Sequence, residues 1–101
     1  MQKTLKDYIP KQALEEVVKV LKFGEKKHGN SWLGSSITLH INHALKHINS
    51  GLYKSPEDEE THLSNFAHAI CRLLFALSVE IELEKEVKKC LRTEKNAKNV
   101  D

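Results

Sequence analysis

The chain is expected to fold as an all-α protein, a small bundle of three main helices. Three stretches carry apolar residues at helical spacing, turn-forming residues separate them, and no stretch shows the period-two alternation that a half-buried strand requires. Its 101 residues suffice for one core and leave no room for a second. An apolar content of 40% beside 30% charged residues is the balance of a folded domain rather than a disordered chain. Residues 1–91 read as a single helical domain and residues 92–101 as a solvated tail.

The first helix is expected from Pro10, which tolerates the first helical turn because its missing N–H has no partner there, to His28. Leu14, Val17, Val18 and Leu21 mark its buried face, and Gly24 weakens it modestly. The turn chemistry of Gly29-Asn30-Ser31-Trp32-Leu33-Gly34 ends it. Ser35 or Ser36 caps the second helix, whose stripe is Ile37, Ile41, Ala44, Leu45 and Ile48 and which Gly51 closes. The third is expected to start at Ser55-Pro56-Glu57-Asp58, which offers a cap, a proline at the first position and an acid at the third. Leu63, Phe66, Ile70, Leu73, Leu74, Leu77 and Ile81 carry its apolar face toward the charged stretch Glu82 to Lys89, and the tail begins at about Arg92.

Composition also excludes classes of function. A net charge of +2 gives no broad basic field, so extended nucleic acid is not an expected partner, although a small anion is. The apolar run Leu73 to Val79 is too short to cross a bilayer, and Met1-Gln2-Lys3 opens no signal segment, so a cytoplasmic location is expected. Cys71 and Cys90 lack CxxC spacing and read as reduced thiols. HExxH, an adjacent His-Asp pair, a P-loop and GxGxxG are all absent.

The polar residues that carry chemistry are concentrated between His28 and His68, where all six histidines fall. His40, His43 and His47 share one face of the second helix, beside its apolar stripe, and Thr61, Asn65, His68 and Arg72 form a similar seam on the third. Asp58, Glu59 and Glu60 add an acidic mouth, with Glu59 best read as a cap that compensates the helix dipole. Were the two seams to face each other, imidazoles, carboxylates and an arginine would meet in a crevice able to hold a metal and a phosphate. Oxygen-seeking magnesium would take Asp58, Glu60, Glu15 or Glu16, while imidazole-rich ligation would suit manganese, zinc or iron. On spacing alone, His40 and His43 are surface or half-buried residues satisfied by hydrogen bonds. Lys26 and Lys27 either neutralise phosphate or are simply solvated, and Trp32 either stacks a base or closes one end of the core.

The run YIPKQALEEVVKVLKFGEKKHG, then SW, ALKHIN and DEETHLSNFAHAICRLLFAL, resembles a largely phage-associated family of dATP/dGTP diphosphohydrolases, over about Tyr8 to Leu77. The family's Phe-Gly-x-Lys-Lys-Tyr-Gly stretch is matched by Phe23, Gly24, Lys26, Lys27 and Gly29, with His28 in the Tyr place. Its Asn-Trp pair is Ser31-Trp32 here and its Arg-His pair Lys46-His47. Its Asp-x-Glu-Ser/Thr-Gly-x-x-His-x-x-His-Ala pattern keeps Asp58, Glu60, Thr61, His68 and Ala69; His62 replaces the Gly, Asn65 the first His, and Arg72 an Asn one turn later, while the preceding Gly-Glu reads Lys54-Ser55. The family is similar to the MazG-like all-α pyrophosphohydrolases, which cut nucleoside triphosphates between the α- and β-phosphates and assemble as dimers or tetramers.

The resemblance implies metal-dependent hydrolysis of purine (deoxy)nucleoside triphosphates to monophosphate and pyrophosphate. Mg2+ or Mn2+ would be held by Asp58, Glu60 and Glu16; His47 and His68 would act on protons or phosphate; Lys26, Lys27, Trp32, Lys46, Asn65 and Arg72 would bind substrate. It also implies a homo-oligomer that completes the bundle, located in the host cytoplasm if phage-encoded. The changed polar positions keep two alternatives open: a non-catalytic protein that binds or sequesters a nucleotide, and a phage-type protein that binds a host protein.

Overall fold

A computed structural model describes residues 2–29 and 31–98; the expected turn residue Asn30 and the end of the expected tail, residues 99–101, lie outside them. The described chain is all-α, with three long helices packed together and no strand beyond one isolated bridge, Glu57 with Ser64. A short helix α1, Leu5–Tyr8, which sequence periodicity did not signal, precedes them. Helix α2, Lys11–His28, starts one residue later than expected, with Pro10 as its N-cap, and Gly29 ends it at φ 61, a left-handed conformation that suits glycine. A 3-10 turn, Ser31–Gly34, leads to α3, Ile37–Tyr53, whose cap is Ser36: the side-chain oxygen accepts from the Leu39 N–H at 3.1 Å.

Two expected boundaries are corrected. Gly51 does not close α3 but lies inside it, where a Cβ would stand 2.8 Å from the Phe66 ring, so its bareness lets the start of the last helix approach. Ser55-Pro56-Glu57-Asp58 does not start the last helix, because the signals there build a closed loop. The Asp58 carboxylate accepts from the Thr61 N–H at 2.9 Å, as a cap would, but His62 then takes φ 59 and the turn does not propagate. Bonds from Asp58 N–H to the Leu63 carbonyl and from Asn65 N–H to the Pro56 carbonyl, both 2.8 Å, seal the loop. Helix α4, Asn65–Lys98, begins after Ser64, whose side-chain oxygen accepts from the Ala67 N–H. It continues through 92–98, the described part of the stretch expected as a solvated tail, as regular helix.

The faces of α3 and α4 that pack together are only partly the expected ones. The α3 face turned to α4 combines the histidine seam with part of the expected apolar stripe: His40 is 0% exposed and Ala44, of the stripe, 1%, whereas Leu45, also of the stripe, is 52% exposed. On α4, Asn65, Ala67, Ala69, Cys71 and Ala76 are buried, while Phe66, Ile70, Leu73, Leu74, Leu77 and Ile81 of the expected apolar face lie outward. The physical reason is steric: small and hydrogen-bonded side chains let the helices approach closely, and the bulky residues are left on the outside. A cluster of Val17 and Val20 from α2 with Ala67 and Cys71 from α4, flanked by Leu21 and Leu63, fixes α2 on α4. The molecule is elongated, with a radius of gyration of 18.1 Å, where a compact chain of this length would have about 13 Å.

Candidate functional site

The buried seam opens into a cleft of about 720 Å³ between the C-terminal half of α2, the 3-10 turn, α3, the 54–64 loop and α4. From one side α3 contributes His43, Lys46 and His47; from the other α4 contributes His68, Cys71, Arg72 and Phe75. The loop brings Asp58, Glu60 and Thr61, α2 brings Gly24 and Lys27, and Trp32 closes one end. The loop and the turn can supply these groups because α3 and α4, lying side by side, hold both connections at their margins.

The hydrogen bonds fix which imidazole nitrogens carry protons. The Asn65 amide nitrogen donates to the Ser55 carbonyl at 2.9 Å, so its oxygen accepts from His47 Nδ1–H at 3.0 Å, leaving Nε2 of a neutral His47 bare. The Thr61 hydroxyl donates to Asp58 Oδ2 at 3.1 Å, so it accepts from His68 Nε2–H at 2.7 Å, which leaves His68 Nδ1 bare. The Leu63 N–H fills the other lone pair of that hydroxyl, at 3.2 Å. The two rings lie face to face, centroids 4.6 Å apart and planes within 10°. Asp58 Oδ1 stands 3.9 Å from His47 Nδ1.

The charges respond accordingly. Burial, and then the neighbouring His47, push His68 below the usual histidine value, with Asp58 opposing; burial and Arg72 lower His43 as well. Burial alone would raise the Asp58 carboxyl, but hydrogen bonds from Thr61 and the two imidazoles outweigh it, and the group is held below the usual carboxylate range. Burial raises the Cys71 thiol to about 11, so it is a protonated, inert wall residue at neutral pH. Glu60 is lowered by its hydrogen bond to Lys27, 2.7 Å across the cleft mouth.

Arg72 is a half-buried cation of the cleft wall. Burial disfavours its charge, yet among the described residues it makes no ion pair. Its guanidinium donates instead to His40 Nδ1 at 3.2 Å. Beyond it, Trp32 and Phe75 stack with centroids 4.5 Å apart and planes within 10°.

The structure thus brings together Lys27, Trp32, Lys46, His47, Asp58, Glu60, His68 and Arg72 of the residues expected at the site. Asn65 lies beneath the cleft, 2% exposed, as the support of His47. Lys26 is exposed outside the cleft lining, and Glu16, half-buried and paired with Lys19 at 2.9 Å, also lies outside it. His40, Thr61 and Phe75 are the functional positions that spacing undervalued: the first two sat in the polar seams, and Phe75 follows Arg72 by three residues, which puts it on the same face.

Of the carboxylates named for a metal, Asp58 and Glu60 line the cleft and Glu16 lies outside its lining, and among the described residues no three His, Cys, Asp or Glu side chains form a ligand group. The stacked rings also suit shared ligation poorly, since their lone pairs lie in nearly parallel planes that do not converge on one point. Among the described residues the cleft offers the carboxylates of Asp58 and of Glu60, the latter paired with Lys27, and the bare imidazole nitrogens of His47 and His68. Such a set suits an ion that arrives with most of its own ligands, as magnesium does on phosphates and water.

The model of a protein family described as dATP/dGTP diphosphohydrolase, N-terminal, matches residues 1–90. No curated protein and no solved structure matches the chain.

Proposed function

The chain belongs to the dATP/dGTP diphosphohydrolase N-terminal family, and from that premise we propose that its cleft binds a purine deoxynucleoside triphosphate as the Mg2+ or Mn2+ complex and hydrolyses it to monophosphate and pyrophosphate. The observation that carries this reading is Arg72, a half-buried cation in the cleft wall whose hydrogen-bond partner is an imidazole rather than a carboxylate. A charge removed from water without a counter-charge is costly, and an anion entering the cleft removes that cost. Lys46 and Lys27 line the same cleft and add to the field that a polyphosphate would meet. Trp32 and Phe75 offer an aromatic wall on which a base can stack.

Hydrolysis at the α-phosphorus needs a water that loses its proton as it attacks. The bare nitrogen of His47 or of His68 is the acceptor, kept bare by Asn65 in one case and by Thr61 with Asp58 in the other. The lowered pKa of His68 keeps it unprotonated at neutral pH. The metal carried on the substrate would offset phosphate charge, and Asp58, which lines the cleft, is the residue that would touch it. A second copy of the chain would cover the outward apolar faces, making the working form a dimer or larger homo-oligomer.

The test is to incubate the pure protein with each deoxynucleoside triphosphate plus magnesium or manganese and look for monophosphate with pyrophosphate. Turnover that favours dATP and dGTP is expected, and no turnover with any pair would refute hydrolysis. The absence of a three-residue ligand group among the described residues favours one rival, a non-catalytic nucleotide binder. Calorimetric binding without turnover would establish that rival.

A further inference from the structure

We infer that His40 is a positioning residue whose neutral imidazole aims the Arg72 guanidinium at the phosphate chain of the ligand. The inference rests on the nucleotide reading above and identifies what organises its anion-binding group. His40 is 0% exposed, the largest fully buried side chain together with Asn65, so burial keeps water from both ring nitrogens. Each nitrogen nevertheless has a partner whose role is fixed. A guanidinium only donates, so Nδ1 must accept from Arg72 at 3.2 Å; a carbonyl only accepts, so Nε2–H must donate to the Trp32 carbonyl at 3.1 Å. One tautomer alone satisfies both contacts, and it is uncharged.

Three consequences follow for Arg72. Its rotamer is held by a rigid ring anchored on backbone, which lowers the ordering cost that a flexible arginine would pay on binding an anion. Its charge is left whole, because an imidazole fixes the guanidinium without neutralising it as a carboxylate would. The aromatic wall and the cation become parts of one unit: His40 touches the Trp32 carbonyl, its ring lies 5.5 Å from the Phe75 ring at 58°, and Arg72 precedes Phe75 by three residues on α4. The Arg72 side chain thus occupies a set position relative to the surface on which a base would stack.

The two amides that mimic half of an imidazole separate this role from simple core filling. His40→Asn places an oxygen near the Nδ1 position and can keep the contact to Arg72; His40→Gln places its amide near Nε2 and can keep only the contact to Trp32. Binding of inorganic pyrophosphate and of dGTP to the full chain is measured by calorimetry at neutral pH. His40→Gln is expected to weaken both roughly tenfold, as Arg72→Met does, while His40→Asn stays within about twofold of the parent. Equal losses in both amide variants would overturn the inference. Nitrogen-15 NMR of the unsubstituted protein decides it independently, including where a variant fails to fold. The expected spectrum shows His40 protonated at Nε2 and bare at Nδ1, with the Nδ1 resonance moving in Arg72→Met; a protonated Nδ1 or an unmoved resonance overturns it. Should the parent bind neither pyrophosphate nor nucleotide, the functional reading falls while the NMR result still decides the role of His40.

Discussion

Between α3 and α4 lie His40, Ala44, Asn65, Ala69 and Ala76, which are small or polar and almost fully enclosed, whereas the outward side of α4 presents Phe66, Ile70, Leu73, Leu74 and Leu77 half-exposed. The inner face is held by directional contacts, in which each buried polar atom has a partner among the described residues. The outer face holds most of the bulky apolar surface and buries only part of it. The contrast teaches that one helix can divide its labour: hydrogen bonds shape a site on the inside, and the larger hydrophobic contribution waits for another surface.

The largest effect expected on the inner face comes from Arg72→Met. Calorimetry should show deoxynucleotide binding weakened tenfold or more, about 1.4 kcal/mol at the least, while thermal unfolding shows little net change, because removal of a half-buried cation without a counter-charge is set against the His40 Nδ1 left without a donor. A fall in both together would erase the distinction between site and scaffold. On the outer face, Leu77→Asp should convert the proposed homo-oligomer to a smaller species in sedimentation, at unchanged affinity for pyrophosphate. Where the two faces meet, Gly51→Ala forces the Phe66 ring or Asn65 to yield to a Cβ 2.8 Å from the ring. A net loss of about 1 kcal/mol is expected by denaturant unfolding, overpacking outweighing the gain in helix propensity.

Acid should act on the inner face alone. His68 and His43 are held below the ordinary histidine value, so below about pH 6.5 the unfolded chain binds more protons than the folded one, and stability falls as pH drops through that window. Above it their contribution is complete. The melting temperature should be lower at pH 5.5 than at pH 7.5, and the difference should shrink in His68→Asn. The smallest expected effect is a gain: His62→Gly relieves a left-handed residue and should stabilise by up to about 1 kcal/mol, read from the denaturant midpoint.

Three helices, a serine cap at 35 or 36 and the turn before it were legible because each depends on neighbours in sequence. The start of α4 was not, since Ser55-Pro56-Glu57-Asp58 offers the same local bonds to a single closed turn as to a helix. What decides between them is the left-handed His62, at a position where the related pattern has glycine. In the site, the polar seams and the residues on them, Arg72 included, were legible from spacing, and the resemblance marked Arg72 as a departure from the family pattern. Which stripe faces inward was not, because periodicity distinguishes two faces without saying what covers each. Glu16 and Lys26 illustrate the same limit: both lie on α2, yet its packing on Ala67 and Cys71 turns Lys27 toward the cleft and leaves those two outside its lining.

The length of α4 has one more consequence. Its 34 residues run to about 51 Å, and the side chains of 80–92 are all exposed or nearly so, with only a shallow apolar groove beside Ile37 for company. The amides of that outer half are bonded within the helix but sheltered by little else, so their hydrogens should exchange with solvent through local fraying, while those between Ala67 and Ala76 wait for opening of the whole bundle. A gradient of exchange along one unbroken helix would therefore map where the monomer's cooperative unit stops, and protection reaching Leu91 would reveal a covering surface before its identity is known.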